Sequence, residues 1–227
     1  MERKKIIYVW KSPYPWDVRV EKICDSLSKD YEVLILARWG VEPKKVEQIN
    51  NITVHRVGFN EKSIKSTPIS ANPVWKKELT KVIKGFKPDL LIVREIMLGT
   101  LVGKLGKKYD IPVIMDMAEN YPALMKMWHK YNNSVLKRLI MHTLKIPNMV
   151  EKSAISRMSG IIVVCDEQIN RLNKTYSYPS DKVVVVKNTP NISEEPKPEF
   201  QEGKIIFLHH GWLTEEKKID IFINSFI

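Results

Sequence analysis

The sequence predicts an α/β fold built on a doubly wound parallel sheet, and three observations predict it. Short apolar, β-branched runs recur along the chain. Each is followed by a polar or amphipathic stretch long enough for a helix. The runs are apolar throughout rather than alternating, as in strands buried on both faces. Strand, helix, strand repeated in this way is the pattern of βαβ units.

A first strand is expected near residues 5–10 (KIIYVW), then a helix over 17–29 and a strand at 32–37 (EVLILA). A shorter strand follows at 53–57, a helix at 73–86, a strand at 89–94 (DLLIVR), a helix at 97–109 and a strand at 111–116 (IPVIMD). A helix over 134–158, broken at Pro147, leads to a strand at 160–165 (GIIVVC), a helix at 166–175 and a strand at 182–187 (KVVVVK). Residues 191–203 (NISEEPKPEFQEG) are acidic, Pro-bearing and aperiodic, which reads as a linker. Residues 205–226 start again with a strand, a Gly turn and an amphipathic helix carrying Ile219, Ile221, Phe222 and Phe226. One strand–helix unit does not fold alone. The expected division is therefore a Rossmann-like domain over 1–192, a linker over 193–203, and the first unit of an incomplete second domain over 204–227.

With 227 residues, 44% of them apolar, the chain can bury a full-sized core. Cys24 and Cys165 lie in apolar stretches without a Cys or His at metal-ligand spacing. They read as two reduced, buried thiols of a cytosolic protein. The opening MERKKIIYVW is too short in its apolar part for a signal segment. No run approaches the roughly 20 apolar residues of a membrane span. Net charge is +11 and uneven: residues 60–160 carry 18 basic and 8 acidic side chains, or +10 of the total. Such a field favours anionic partners.

Ligands of open α/β sheets bind at the carboxyl ends of the strands, which directs attention to two loops. The first is PYPWDVRVEK at 13–22. It holds no GxGxxG, so a pyrophosphate cannot approach this helix as in dinucleotide-binding proteins. Asp17 is placed to cap the helix. Arg19 and Glu21 project from its first turn, either toward a ligand or into solvated ion pairs. The second loop is MDMAENYP at 115–122, where Asp116, Glu119, Asn120 and Tyr121 offer carboxylates, an amide and a phenol. These groups suit sugar hydroxyls or a general base, and equally suit capping of local backbone.

Between Glu119 and Glu151 there is no acidic residue, while Lys126, Lys130, Lys137, Arg138 and Lys145 are present. On a helical projection Val135, Leu136, Leu139, Ile140, Thr143 and Leu144 share a face opposite Lys137, Arg138 and Lys145. Trp128 and Tyr131 flank them. Such a helix either lies in a membrane interface or turns its apolar face to a core. His209 and His210, adjacent on an expected strand, point to opposite faces and share no metal. The methionines from Met115 to Met127 read as gap-filling packing.

Taken in order, these features resemble the family 4 glycosyltransferases of the GT-B fold. The resemblance rests on DVRVEK opening the first helix, DMAENYP after the middle strand, Glu151 on a helix ahead of SGIIVVCDEQINRL, VVVVKNTPN with Asn188, and HGWLTEEKKID after the last strand. It covers essentially the whole chain over the first half of a typical member. It implies transfer of a sugar from a nucleotide-sugar to an acceptor held by the amino-terminal domain, usually with retention, without an essential metal and without a further cofactor. Catalysis in such enzymes is positioning plus electrostatic stabilisation of a departing diphosphate.

By the same resemblance Tyr14, Asp17 and Arg19 shape the acceptor crevice. Glu119, Asn120 and Tyr121 contact acceptor hydroxyls, and Asn188 and Gly211 border the cleft. Glu119, ahead of Asp116, is the base if one is needed. Ser12, Pro13, Tyr14 and Pro15 stand where the family has a glycine-rich turn. The chain ends at Ile227 before the family's paired-Glu donor motif, so transfer by this chain alone is not expected. The concentrated positive charge points to a glycan or lipid-phosphate acceptor at the cytoplasmic membrane face, with Lys126, Trp128, Lys130, Lys137 and Arg138 toward an anionic surface. Two other classes fit parts of the pattern: a non-catalytic acceptor-binding subunit of a split enzyme, and a basic Rossmann-like nucleic-acid binder. The second lacks a helix-turn-helix or RNA-recognition signature, and nucleic acid is not expected as a partner.

Overall fold

The computed structural model describes residues 3–40, 44–58, 63–127, 133–189, 203 and 218–225; the side chains of Lys137, Ile140 and Met141 are not described. The chain divides into two compact units, Met1–Thr189 and Pro190–Ile227.

In the first unit, eight strands form one sheet in the order β3-β4-β2-β1-β5-β6-β7-β8. They are β1 Lys5–Val9, β2 Glu32–Arg38, β3 Val46–Ile49, β4 Ile52–Val57, β5 Leu90–Arg94, β6 Val113–Met117, β7 Gly160–Val163 and β8 Val183–Val185. All seven strands expected within this unit are present, and every pair is parallel except β3 with β4. The unexpected β3 pairs antiparallel with β4 through Ile49↔Ile52, across a turn at Asn50–Asn51 in which Asn50 has φ 51°. Asn tolerates this left-handed conformation better than most residues.

Side-chain alternation splits the core between the two faces of the sheet. Ile7, Val9, Leu34, Leu36, Leu91 and Val93 face one side. Helices α2 (Pro73–Phe86), α3 (Gly99–Tyr109) and α6 (Ile146–Ile155) supply Trp75, Leu79, Leu101, Val102, Ala154 and Ile155 to that cluster. Ile6, Tyr8, Trp10, Val33, Ile35 and Ile92 face the other side, against Val20 and Cys24 of α1 (Val18–Ser28). Helix α3 approaches α6 closely because Gly99 has no side chain; a Cβ there would lie 2.7 Å from both Ala154 Cβ and Met115 Cε.

Two local readings are corrected. Cys165 is half-buried rather than buried, since β7 ends two residues before it; Cys24 is buried as expected. The single helix expected over 134–158 is a short turn α5 (Val135–Arg138), a π-turn (Leu139–Thr143) and then α6. Pro147 starts α6 instead of breaking a longer helix, because its missing N–H is one the first helical turn leaves unbonded in any case. Lys145 at φ 50° separates the two parts. Two helices flank this region: α4 (Tyr121–Met127), which was not expected, and α7 (Glu167–Tyr176). In the second unit the described residues include one short helix, α8 (Ile219–Asn224). The strand expected near 205, His209, His210 and Gly211 lie outside the described residues, as do Trp128, Lys130 and Tyr131.

Candidate functional site at the switch point of the sheet

From β1 the chain winds through β2 to β4 on one side, then returns through α2 to β5 on the other side of β1. Oppositely directed connections leave a crevice at the carboxyl ends of β1 and β5, where ligands of open sheets bind. The residues lining it are Trp10 and Lys11 after β1, Arg94 and Glu95 at the end of β5, Asp116 near the end of β6, and the start of α1.

Asp116 is the keystone of a buried polar network. Its Oδ1 accepts from Arg19 Nε at 2.9 Å and Nη2 at 2.7 Å. Its Oδ2 accepts from the Tyr8 hydroxyl at 2.8 Å and from Arg94 Nη1 at 3.0 Å. Arg94 and Asp116 are register partners on β5 and β6, and Tyr8 projects from the same face of the sheet. Arg94 also stacks its guanidinium 5.1 Å from the centre of the Trp10 ring and lies 3.5 Å from Asp17 Oδ2. Burial alone would lower the pKa of Arg94, but Asp116 and then Asp17 raise it. Burial, followed by the Asp116 carboxylate, raises that of Tyr8. Two arginines and two aspartates thus balance at the head of the sheet.

Asp17 occupies the N-cap of α1, where its Oδ1 accepts from Val20 N at 2.9 Å. Arg19 is buried and turned inward, so the solvated pair open to it in the sequence does not form. Its remaining fork donates to Val186 O at 2.9 Å and Asn188 Oδ1 at 2.7 Å. Lys22 Nζ donates to Thr189 O at 2.5 Å. The segment leaving β8 is thereby tied to the first helix.

Three roles expected from the sequence do not fit this geometry. Asp116 is fully buried with both oxygens saturated, so it has no path to accept a proton from a substrate. Tyr14 is buried in the core cluster behind α1, not presented to the crevice. Tyr121 is likewise a core residue, and burial, then the neighbouring Glu95 carboxylate, raises the pKa of its hydroxyl. Asn120 accepts from Ala123 N at 3.3 Å through Oδ1, which makes it a local backbone cap of α4. Glu119 is exposed in the loop after β6, and Asn188 is exposed after β8.

Two residues at the crevice were not singled out by the sequence. Trp16 is 86% exposed with φ 112°, and its backbone N–H donates to Glu21 Oε1 at 2.9 Å. Glu95 has φ 68°, is buried, and pairs with Lys11. Positive φ at bulky residues is uncommon and concentrates at functional sites. The available signals were a carboxylate immediately after the apolar strand β5 and an aromatic in the loop between β1 and α1.

On the flank of the unit, Val135, Leu136, Leu139 and Leu144 are between 44% and 76% exposed, so this apolar surface does not face a core. Arg138 and Lys145 are exposed among them. No helix among the described residues is long and apolar enough to cross a membrane. Among them there is also no group of three His, Cys, Asp or Glu placed to hold a metal ion.

The model of Glycosyltransferase Family 4 matches residues 17–194, and the chain belongs to that family. No curated protein matches its sequence. Among solved structures, a sucrose-phosphate synthase from Thermosynechococcus elongatus is similar, at 12% identity over 83% of this chain and 49% of that one, with TM-score 0.61. A lipopolysaccharide outer core galactosyltransferase aligns at 9% identity over 88% of this chain and 50% of that one, TM-score 0.54. A UDP-glucosyltransferase from Polygonum tinctorium aligns at 10% identity over 89% and 56%, TM-score 0.53. At these identities the likeness is one of fold. The chain spans about half the length of these structures.

Proposed function

We propose that this chain is the acceptor-side half of a GT-B glycosyltransferase, binding an acceptor at the switch-point crevice for transfer from a nucleotide-sugar held by a second Rossmann-like domain. The observation that carries the reading is the crevice itself: a largely buried, charge-balanced floor of Arg19, Arg94, Asp17 and Asp116 beneath an exposed rim of Trp16, Glu119 and Asn188. Family membership supports it. A rim of this kind suits a sugar acceptor, since an indole offers an apolar face to the ring and the carboxylate and amide bond its hydroxyls. Glu119, at the carboxyl end of the sheet and open to solvent, takes the base role if one is used. Asn188, tied to α1 through Arg19, borders the cleft next to the segment that leads to the second unit.

The exposed apolar residues of α5 and the π-turn, with Arg138 and Lys145 beside them, support a location on an anionic membrane surface on the cytoplasmic side and an acceptor with an anionic or lipid-phosphate portion. The test is transfer and hydrolysis of nucleotide-sugars by this chain alone and by a chain extended with a carboxy-terminal donor-binding domain. Activity only in the extended chain is expected. Activity in neither overturns the reading in favour of a non-catalytic acceptor-binding subunit.

A further inference from the structure

At the opposite end of the strands from the crevice lies a cavity of about 820 Å³, within the roughly 300–1,000 Å³ range of ligand sites. Pro112, Val113, Met158 and Ser159 line it where the chain enters β6 and β7, with the carboxyl half of α3 beside them. Two glycines let α3 lie close. A Cβ on Gly103 would stand 2.5 Å from Arg157 Cβ, and one on Gly106 would stand 2.3 Å from Val113 Cγ2. Lys104 and Lys107, neighbours on the helix at a spacing of three, therefore line the same space as Arg157.

Arg157 is held in place. Its stem lies over Gly103, and its Nη1 donates to Ser153 O, to Ser153 Oγ at 3.2 Å and to Ser156 Oγ at 3.1 Å. Its Nε and Nη2 have no partner among the described residues. Lys104, Lys107 and Arg157 form no ion pair among the described residues either, although Asp110 also lines the cavity. Ser159 Oγ accepts from Val113 N at 3.3 Å, which leaves its O–H to donate.

Three cations and one carboxylate give the walls a net charge of +2. Two lysines alone would be a solvated helix face. Here an arginine from a separate element joins them in a concave site, where low-dielectric walls focus the field of like charges. A phosphomonoester, at about −1.5 to −2 near neutral pH, complements that charge. The guanidinium meets its oxygens as a planar fork and the ammonium groups as point charges. Asp110 narrows the choice further. It would repel a second anionic group, such as the next phosphate of a nucleic acid or the next carboxylate of an acidic peptide, whereas a hydroxyl would donate to it. Ile111, Pro112 and Met158 add an apolar side against which a ring can lie.

We propose that this cavity is a second ligand site, taking the phosphomonoester of a sugar, free or within a nucleoside monophosphate. Its phosphate lies among Lys104, Lys107 and Arg157, and its hydroxyls meet Asp110 and Ser159. The cavity and the crevice share no residue, so the proposal stands or falls independently of the acceptor-side reading. Calorimetric titration of the 227-residue chain with glucose 6-phosphate, adenosine monophosphate, inorganic phosphate and glucose tests it. Saturable one-to-one binding of at least one ester is expected, at least about tenfold tighter than inorganic phosphate, with none for glucose. The tighter ester identifies the source, glucose 6-phosphate a free sugar phosphate and adenosine monophosphate a nucleotide. Arg157→Gln, and Lys104→Gln with Lys107→Gln, are each expected to weaken ester binding at least about tenfold. All three side chains are exposed, so thermal melting should not change. Asp110→Asn is expected to narrow the preference for the ester over inorganic phosphate. Ester binding that survives both sets of cation variants, ester binding no tighter than that of inorganic phosphate, or no binding by folded protein would each overturn the proposal.

Discussion

Arg19 and Asp116, 97 residues apart, meet in a bidentate pair that is buried on both sides, with Arg19 Nη2 2.7 Å from Asp116 Oδ1. Removing one partner of such a pair leaves the other charged and dry, which costs about 3–5 kcal/mol. Asp116→Ala is therefore expected to destabilise the chain by that amount, since it strands Arg19 and leaves Arg94 only the longer pair with Asp17. Arg19→Lys is expected to be only partly tolerated, because an ammonium cannot bond the carboxylate, Val186 O and Asn188 together. Urea denaturation of the two variants checks both statements, and near-neutral stability of Asp116→Ala would refute the first.

A second buried group sets an acid limit. His55 Nε2 lies 3.0 Å from Glu78 Oε2, and Lys45 Nζ lies 3.2 Å from Glu78 Oε1. Burial lowers the pKa of His55 below 6.5, although Glu78 opposes this. Burial would raise that of Glu78, but the bonds from His55 and Lys45 lower it below 4.5. Both folded values are depressed, so the folded state binds fewer protons than the unfolded state, and both contributions are lost as pH falls. The loss begins near pH 6.5 with His55 and continues below pH 4.5 with Glu78. His55→Gln is expected to flatten melting temperature between pH 7 and pH 5 while leaving the lower limb. An unchanged slope in that interval would exclude His55 as its source.

The sheet was legible because its strands are continuous apolar runs, and strands buried on both faces read that way whatever surrounds them. Strand β3 was not, because VEQI alternates exposed and half-buried positions as an edge strand does. The π-turn at Leu139–Thr143 shifts the helical phase, so a projection at regular period cannot place the side chains beyond it. At the site, the importance of Asp17, Arg19 and Asp116 showed in the two loops that follow strands, but their roles did not. Asp116 and Glu119 look alike in sequence, and only the convergence of Arg19, Arg94 and Tyr8 on one carboxylate separates a saturated anchor from an open acid. Glu95 was hidden because its distinguishing feature, φ 68°, is a backbone property.

That backbone property makes Glu95 testable apart from its charge. Glycine adopts positive φ without a Cβ penalty, so Glu95→Gly relieves strain on the order of 1–3 kcal/mol while removing the pair with Lys11. Stability is expected to hold or rise. In the chain extended with a donor-binding domain, kcat/KM for transfer is expected to fall, and Glu95→Gln is expected to lower it with little change in melting. Full activity in both variants would make Glu95 a feature of the fold alone.

The proposed membrane location is tested at the exposed apolar surface of α5 and the π-turn. Hydrophobic insertion and attraction to anionic lipid respond differently to salt, because a charge more than a Debye length of about 10 Å away is largely screened at 0.1 M ionic strength. Arg138→Glu with Lys145→Glu is therefore expected to reduce sedimentation with vesicles containing phosphatidylglycerol mainly at low salt. Leu136→Ser with Leu139→Ser is expected to reduce it at every salt concentration, and because both side chains are exposed, melting should not change. Each juxtamembrane cation contributes about 1 kcal/mol near an anionic surface, so the double charge reversal should weaken association by more than tenfold. Association that is indifferent to both pairs of substitutions would mean that this surface faces something other than lipid.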